Sequence, residues 1–288
     1  MKPFIAAAVL LVSSALSSAG AETPSPAPAK GFVEIDAAKL YYEECGSGSD
    51  AVVLVHDGVV NSLAWNDVWP AFCRRFHTVR YDRRGFGRSP AATTWYSEID
   101  DLASLLQQLH LSRVDLVGSS HGGELSIDFT LAHPGVVRRL VLVGPVVSGM
   151  PYSEHFLARG ADAFKLLDSG DVAGAIKLWT ADKYLIAPAN DSARRQLYEL
   201  LSSNPQDMTH RDLPLRPKPA LPRLNEIHAP TLILVGDADI PDVHAHAGAI
   251  EAGIANSRRV VVQGVGHIMY LEKPAELSRM VIAFLEQE

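Results

Sequence analysis

The sequence predicts an α/β protein, with a mostly parallel sheet, helices on both of its faces and one helical insertion. Three observations carry this. Short, largely apolar runs at 52–55, 114–117, 140–143 and 231–235 read as buried strands. Segments with helically spaced apolar residues fall between these runs. The stretch 146–227 carries helical spacing but no strand-like run.

The elements follow in order. Residues 1–21 read as a signal peptide. Lys2 gives a positive start, the apolar run 4–16 is too short to span a bilayer, and Ala19-Gly20-Ala21 fits a cleavage site. An uncleaved N-terminal anchor is the alternative; no cysteine follows the run to carry a lipid. Residues 22–30 form a Pro/Ala-rich tether. The expected location is periplasmic or secreted.

A core follows over 31–145. It opens with a hairpin that turns at Asp36-Ala37-Ala38, with Val33, Ile35, Leu40 and Tyr42 alternating around it. After the strand 52–55 come the loop His56-Asp57-Gly58-Val59, a helix over 63–76, a strand over 78–81 and the glycine-punctuated loop 82–89. A helix over 98–110 places Leu102, Leu105, Leu106 and Leu109 on one face. The strand 114–117 runs into a helix that begins near Ser120 and is closed by Pro134.

Within the insertion, Leu157, Ala161 and Phe164 share one helical face, as do Val172, Ala175, Ile176 and Trp179. Asp191 is placed to cap a third helix holding Leu197 and Leu201. Pro214, Pro217, Pro219 and Pro222 stiffen the return. We read 146–227 as a helical lid. The core resumes over 228–288 with strands at 231–235 and 260–262, a helix over 242–252, and a last helix carrying Leu277, Met280, Val281 and Phe284.

The net charge of the 288-residue chain is −7, and Lys and Arg are dispersed. No basic stripe suggests nucleic acid, and mild acidity implies solubility rather than a partner. No segment beyond the leader reaches membrane-spanning length.

The strand–helix junction at Gly118-Ser119-Ser120-His121-Gly122 spells G-x-S-x-G. A sharp turn there needs small residues where strand and helix crowd, and it holds the middle serine exposed. With Gly123 following, this stretch resembles the nucleophile elbow of the α/β-hydrolase family. The His56–Gly58 loop, the 82–89 loop, Gly236-Asp237-Ala238-Asp239 and Gly266-His267 fall in that family's order, so the resemblance covers nearly the whole mature chain. It implies an eight-stranded, mostly parallel sheet with a lid, and a nucleophile–acid–histidine triad.

Residue by residue, the resemblance selects Ser120 as nucleophile, Asp239 as acid and His267 as base. Asp237 is the competing acid. A serine hydroxyl needs a base to take its proton and a third group to orient that base. The backbone N–H of His121 is one oxyanion donor. Gly58 is the expected second, counted back from Trp65, with Val59 as the alternative. Asp57 departs from the family, which has glycine there, and an anion facing the oxyanion would oppose catalysis. His56, Asp82 and Arg84 are expected to organise loops.

No metal or cofactor is expected. Asp242, His244 and His246 lie close in sequence, but i,i+2 residues do not share a helix face. A serine where dehalogenases and epoxide hydrolases carry aspartate argues against both chemistries. The resemblance therefore implies a serine hydrolase of a small carboxylic ester or lactone, and the leader implies that it is exported. Alternatives on the same fold are a cofactor-free C–C hydrolase, lyase or perhydrolase, or a non-catalytic binding protein. Tyr152, Phe156, Phe164, Trp179 and Tyr184 are candidates for an apolar acyl pocket, and the small Ser119 leaves room beside the nucleophile.

Cys45 and Cys73 are expected to be joined. Export implies an oxidising compartment, and in the resembled fold both lie near the lower edge of the sheet. Two separate buried thiols are the alternative.

Overall fold

The computed structural model describes residues 29–35, 38–209 and 213–287. The expected leader, residues 22–28 of the tether and the hairpin turn at Asp36-Ala37 lie outside them. Eight strands form one sheet in the order β1-β2-β4-β3-β5-β6-β7-β8. They are β1 (Ala29–Ile35), β2 (Ala38–Cys45), β3 (Ala51–Val55), β4 (His77–Tyr81), β5 (Val114–Ser119), β6 (Val137–Val143), β7 (Thr231–Gly236) and β8 (Ser257–Val262). Every pairing from β4 to β8 is parallel; only β1 with β2 and β2 with β4 run antiparallel. Ala29 and Lys30, expected in the tether, belong to β1 because they pair with Glu44 and Glu43.

The central strands β3, β5 and β7 are buried along their whole length, and the one charge among them, Asp115 of β5, is paired with Arg138. The covering helices include α2 (Glu98–Gln108), α3 (His121–Ala132), α8 (Pro241–Gly253) and α10 (Pro274–Leu285), the last preceded by the short α9 (Met269–Glu272). Helix α2 starts at Ser97, whose side chain accepts the Asp100 N–H, and buries Leu102, Leu105 and Leu106.

One expected helix is broken. Residues 63–76 form a 3-10 turn, Ser62–Trp65, and a five-residue helix α1, Trp69–Cys73. Pro70 has no N–H to continue the helical ladder, so the helix restarts around it. Cys73 ends α1, and Cys45 ends β2 opposite Thr78; the two are joined in a disulfide with Cα atoms 5.3 Å apart.

Between β6 and β7 the chain forms α4 (Glu154–Asp168), α5 (Val172–Ala181), α6 (Asp191–Ser203) and the short α7 (Gln206–Thr209). Asp191 lies in the first turn of α6; the N-cap position is Asn190, whose side chain turns away to donate to Glu272 and the Gly264 carbonyl. Glu272 also accepts the Ala187 and Gly266 N–H groups, so one carboxylate ties the insertion to the loop that carries His267.

Candidate active site

Parallel strands deliver their C-terminal loops to one edge of the sheet. Ser120 follows β5, Asp239 follows β7 and His267 follows β8. Ser120 has φ 50° and ψ −116°, left-handed backbone that a non-glycine residue adopts only when its surroundings enforce it. Here the surroundings are two glycines. A Cβ on Gly118 would meet the Gly122 carbonyl oxygen at 2.3 Å, and a Cβ on Gly122 would meet the Val55 and His56 carbonyl oxygens at 2.4 Å. The start of α3 can approach β5 and the β3 loop only because both side chains are absent.

His267 Nδ1 lies 2.9 Å from Asp239 Oδ1. The carboxylate can only accept, so the proton sits on Nδ1 and the lone pair on Nε2. Asp239 is held in turn by the Ile240 N–H at 2.7 Å. Gly144, at φ 54°, packs against this pair; a Cβ there would come to 3.0 Å from the imidazole. Burial lowers the His267 pKa, but the Asp239 carboxylate outweighs it and Asp57 adds to it, so the pKa stands above the ordinary 6.5. Asp237 is exposed and accepts the Gly264 and Val265 N–H groups, so it does not share the histidine.

Asp57 lines the same cavity as Ser120, with its carboxylate held by its own loop and by Tyr270. Its Oδ1 accepts the Val59 and Val60 N–H groups at 2.8 and 3.1 Å, and its Oδ2 accepts the Tyr270 hydroxyl. The Val59 N–H is thereby consumed. The Gly58 and His121 backbone N–H groups make no hydrogen bond among the described residues, and Gly58 lies against the His121 Cβ. His56, Asp82 and Arg84 act within loops: His56 binds the Asp57 carbonyl, Asp82 accepts the Ser62 and Arg88 N–H groups, and Arg84 grips Asp101.

Ser120, His267, Gly58 and His121 line one cavity of about 260 Å³. The insertion supplies much of its wall through Tyr152, Phe156, Leu157, Phe164 and Trp179. Tyr184 is not in the lining; its carbonyl instead accepts the His267 N–H. Ser119 is fully buried and is not in the lining either. Arg159, which no sequence pattern singles out, places a cation in this apolar wall; it pairs with Asp182 and stacks near Phe156 and Trp179. Asp242 and His246 are engaged elsewhere, Asp242 accepting from Ser153 and His246 from the Val147 N–H.

A parallel sheet with a serine on a strained strand–helix turn, facing a buried Asp–His pair across a cavity, defines an α/β hydrolase. The chain belongs to the alpha/beta hydrolase family, whose profile matches residues 52–280. It is similar to a 2-hydroxy-6-oxononadienedioate/2-hydroxy-6-oxononatrienedioate hydrolase of Klebsiella pneumoniae subsp. pneumoniae, 29% identical over 86% of this chain and 91% of that protein. A 2-hydroxy-6-oxo-6-phenylhexa-2,4-dienoate hydrolase of Comamonas testosteroni is 25% identical over the same shares. Among solved structures, Est816, described as an N-acyl homoserine lactone degrading enzyme, is 25% identical with a TM-score of 0.70, over 88% of this chain and 100% of that one.

Proposed function

We propose that the protein is an exported serine hydrolase of a small carboxylic ester or lactone. The observation that carries the reading is the shared cavity: a serine in a strained turn, a histidine poised by a buried carboxylate, and two backbone N–H groups without partners among the described residues. Ser120 Oγ attacks the carbonyl carbon while His267 Nε2 takes its proton, and Asp239 stabilises the imidazolium. The carbonyl oxygen, now negative, is received by the Gly58 and His121 N–H groups at the start of α3. His267 passes its proton to the departing oxygen. Water then attacks the acyl-enzyme by the same route in reverse order, releasing the acid and restoring Ser120.

The helices between β6 and β7 act as the lid, since they wall the cavity. Export is supported by the Cys45–Cys73 disulfide, a bond that persists in oxidising compartments.

A second reading, hydrolysis of a carbon–carbon bond beside a ketone, is favoured by two observations. Two relatives are named for 6-oxo substrates, one of them a dioate, and Arg159 offers a cation in the wall to meet a substrate carboxylate. A fluorophosphonate probe separates the readings. Labelling of Ser120 together with p-nitrophenyl acetate turnover supports the ester hydrolase. Labelling without ester turnover supports the second reading. Folded protein that is not labelled is a binding protein.

A further inference from the structure

We propose that Arg83 is a positioning residue that sets both oxyanion donors, an inference that rests on the serine-hydrolase reading above. The peptide between Asp57 and Gly58 is one rigid plane, with the Gly58 N–H at one end and the Asp57 carbonyl at the other. That carbonyl accepts Arg83 Nη2 at 2.7 Å and His56 Nδ1 at 2.8 Å. The His56 tautomer is settled by a third contact. The Arg83 backbone N–H donates to His56 Nε2 at 2.9 Å, so the proton is on Nδ1. Two donors on one carbonyl fix the plane of the peptide and hence the direction of its N–H. They also polarise the amide, which makes that N–H the stronger donor.

The same guanidinium reaches the second donor. Arg83 Nη1 binds Glu98 Oε1 at 2.6 Å, and Glu98 Oε2 meets His121 Nε2 at 2.9 Å. The backbone N–H of His121 is the other group aimed at the oxyanion. One chain of contacts therefore joins the loop after β3, the loop after β4, α2 and the first residue of α3. It is buried at its centre, where Arg83 is 3% exposed and stacks 4.6 Å from the Phe86 ring. Burial lowers the His121 pKa, but Glu98 raises it to about 10, so the imidazolium stays charged beside the site. None of these contacts requires a ligand. They preorganise the donors before substrate arrives, which is what electrostatic stabilisation of a developing oxyanion needs.

The neighbouring Arg84 supplies the control. It grips Asp101 on α2 and stacks on Tyr96, away from the Asp57 carbonyl and Glu98 that Arg83 binds. The experiment compares Arg83→Met, Glu98→Gln and Arg84→Met for p-nitrophenyl acetate turnover and for inhibition by an aryl trifluoromethyl ketone. That ketone forms a tetrahedral adduct: a bond forms between Ser120 Oγ and the carbonyl carbon, the serine proton passes to His267, and the carbonyl oxygen becomes the anion in the hole.

Arg83→Met is expected to lower kcat about 100-fold with KM little changed, and to weaken the ketone by a similar factor, as loss of one oxyanion donor does. Glu98→Gln keeps size and polarity and is expected to show the same split at about tenfold. Arg84→Met should lower Tm while leaving both readouts within twofold. If Arg83→Met and Glu98→Gln lower Tm but keep kcat and ketone affinity within twofold, the chain is only a brace and the inference fails. Should Arg83→Met not fold, Glu98→Gln decides alone by the same criterion. A wild-type protein that neither turns over the ester nor binds the ketone overturns the hydrolase reading itself, and this inference with it.

Discussion

Gly122 sits directly on the backbone of His56: a Cβ on Gly122 would lie 2.4 Å from the His56 carbonyl oxygen. The start of α3 and the loop after β3 are therefore locked at a separation that only glycine allows. The two proposed oxyanion donors, the Gly58 and His121 N–H groups, depend on that separation.

Gly122→Ala is expected to destabilise the fold by ~3 kcal/mol or more, because the obstacle is backbone and cannot rotate away. Gly135→Ala is the comparison. Gly135 has φ 96° but a Cβ there meets nothing within 4 Å, so only the conformational cost of about 1–2 kcal/mol remains. Denaturant unfolding of both variants measures the difference. Gly122 lies in α3 without a positive φ, so a loss no larger than that of Gly135→Ala would show that the backbone contact yields and does not select glycine at 122.

Ser120→Ala and His267→Ala should each remove nearly all ester turnover while circular dichroism stays native, since members of a triad act as a unit. Retention of more than about a tenth of kcat in Ser120→Ala would refute the mechanism. Asp239→Asn should cost about 10⁴-fold through the wrong histidine tautomer. Asp237→Asn should keep kcat, because its carboxylate serves the 264–265 turn.

The pH dependence follows from the raised His267 pKa. Turnover needs the neutral imidazole, so kcat/KM should rise with pH through a midpoint above 6.5. The same sign means that the Asp239–His267 attraction stabilises the fold most fully at low pH and is lost as pH rises through that midpoint. A flat kcat/KM profile from about pH 5 to 9 would count against a histidine base.

Arg159→Met should raise KM about tenfold for an ester bearing a distal carboxylate and leave p-nitrophenyl acetate unchanged. Equal effects on both substrates would mean that Arg159 only braces α4 against Asp182.

Reduction of Cys45–Cys73 opens a crosslink between residues 28 apart, worth about 3–4 kcal/mol in the chain-entropy model. Tm should fall by roughly 5–10 °C. Neither cysteine lines the cavity, so kcat should hold. Thermal scans and assays with and without reductant check both.

The sequence by itself determined what depends on neighbours along the chain. Apolar runs marked the buried strands, glycines marked the turn around Ser120, and motif order placed Asp239 and His267 after the last two strands. The break at Pro70 was also written locally, though the apolar spacing of 63–76 masked it. Tertiary structure alone decided what depends on groups far apart in sequence. Asp57 binds Tyr270, 213 residues away, through Oδ2 while Oδ1 takes the Val59 N–H, and the Gly58 N–H is left without a partner among the described residues. Arg159 becomes part of the cavity wall only once the insertion folds over the sheet edge. Cys45 meets Cys73 through the register of β2 on β4, where Cys45 stands opposite Thr78. The physical reason is one of range: propensity and periodicity act over a few residues, whereas side-chain direction and partner choice are settled by packing across the sheet.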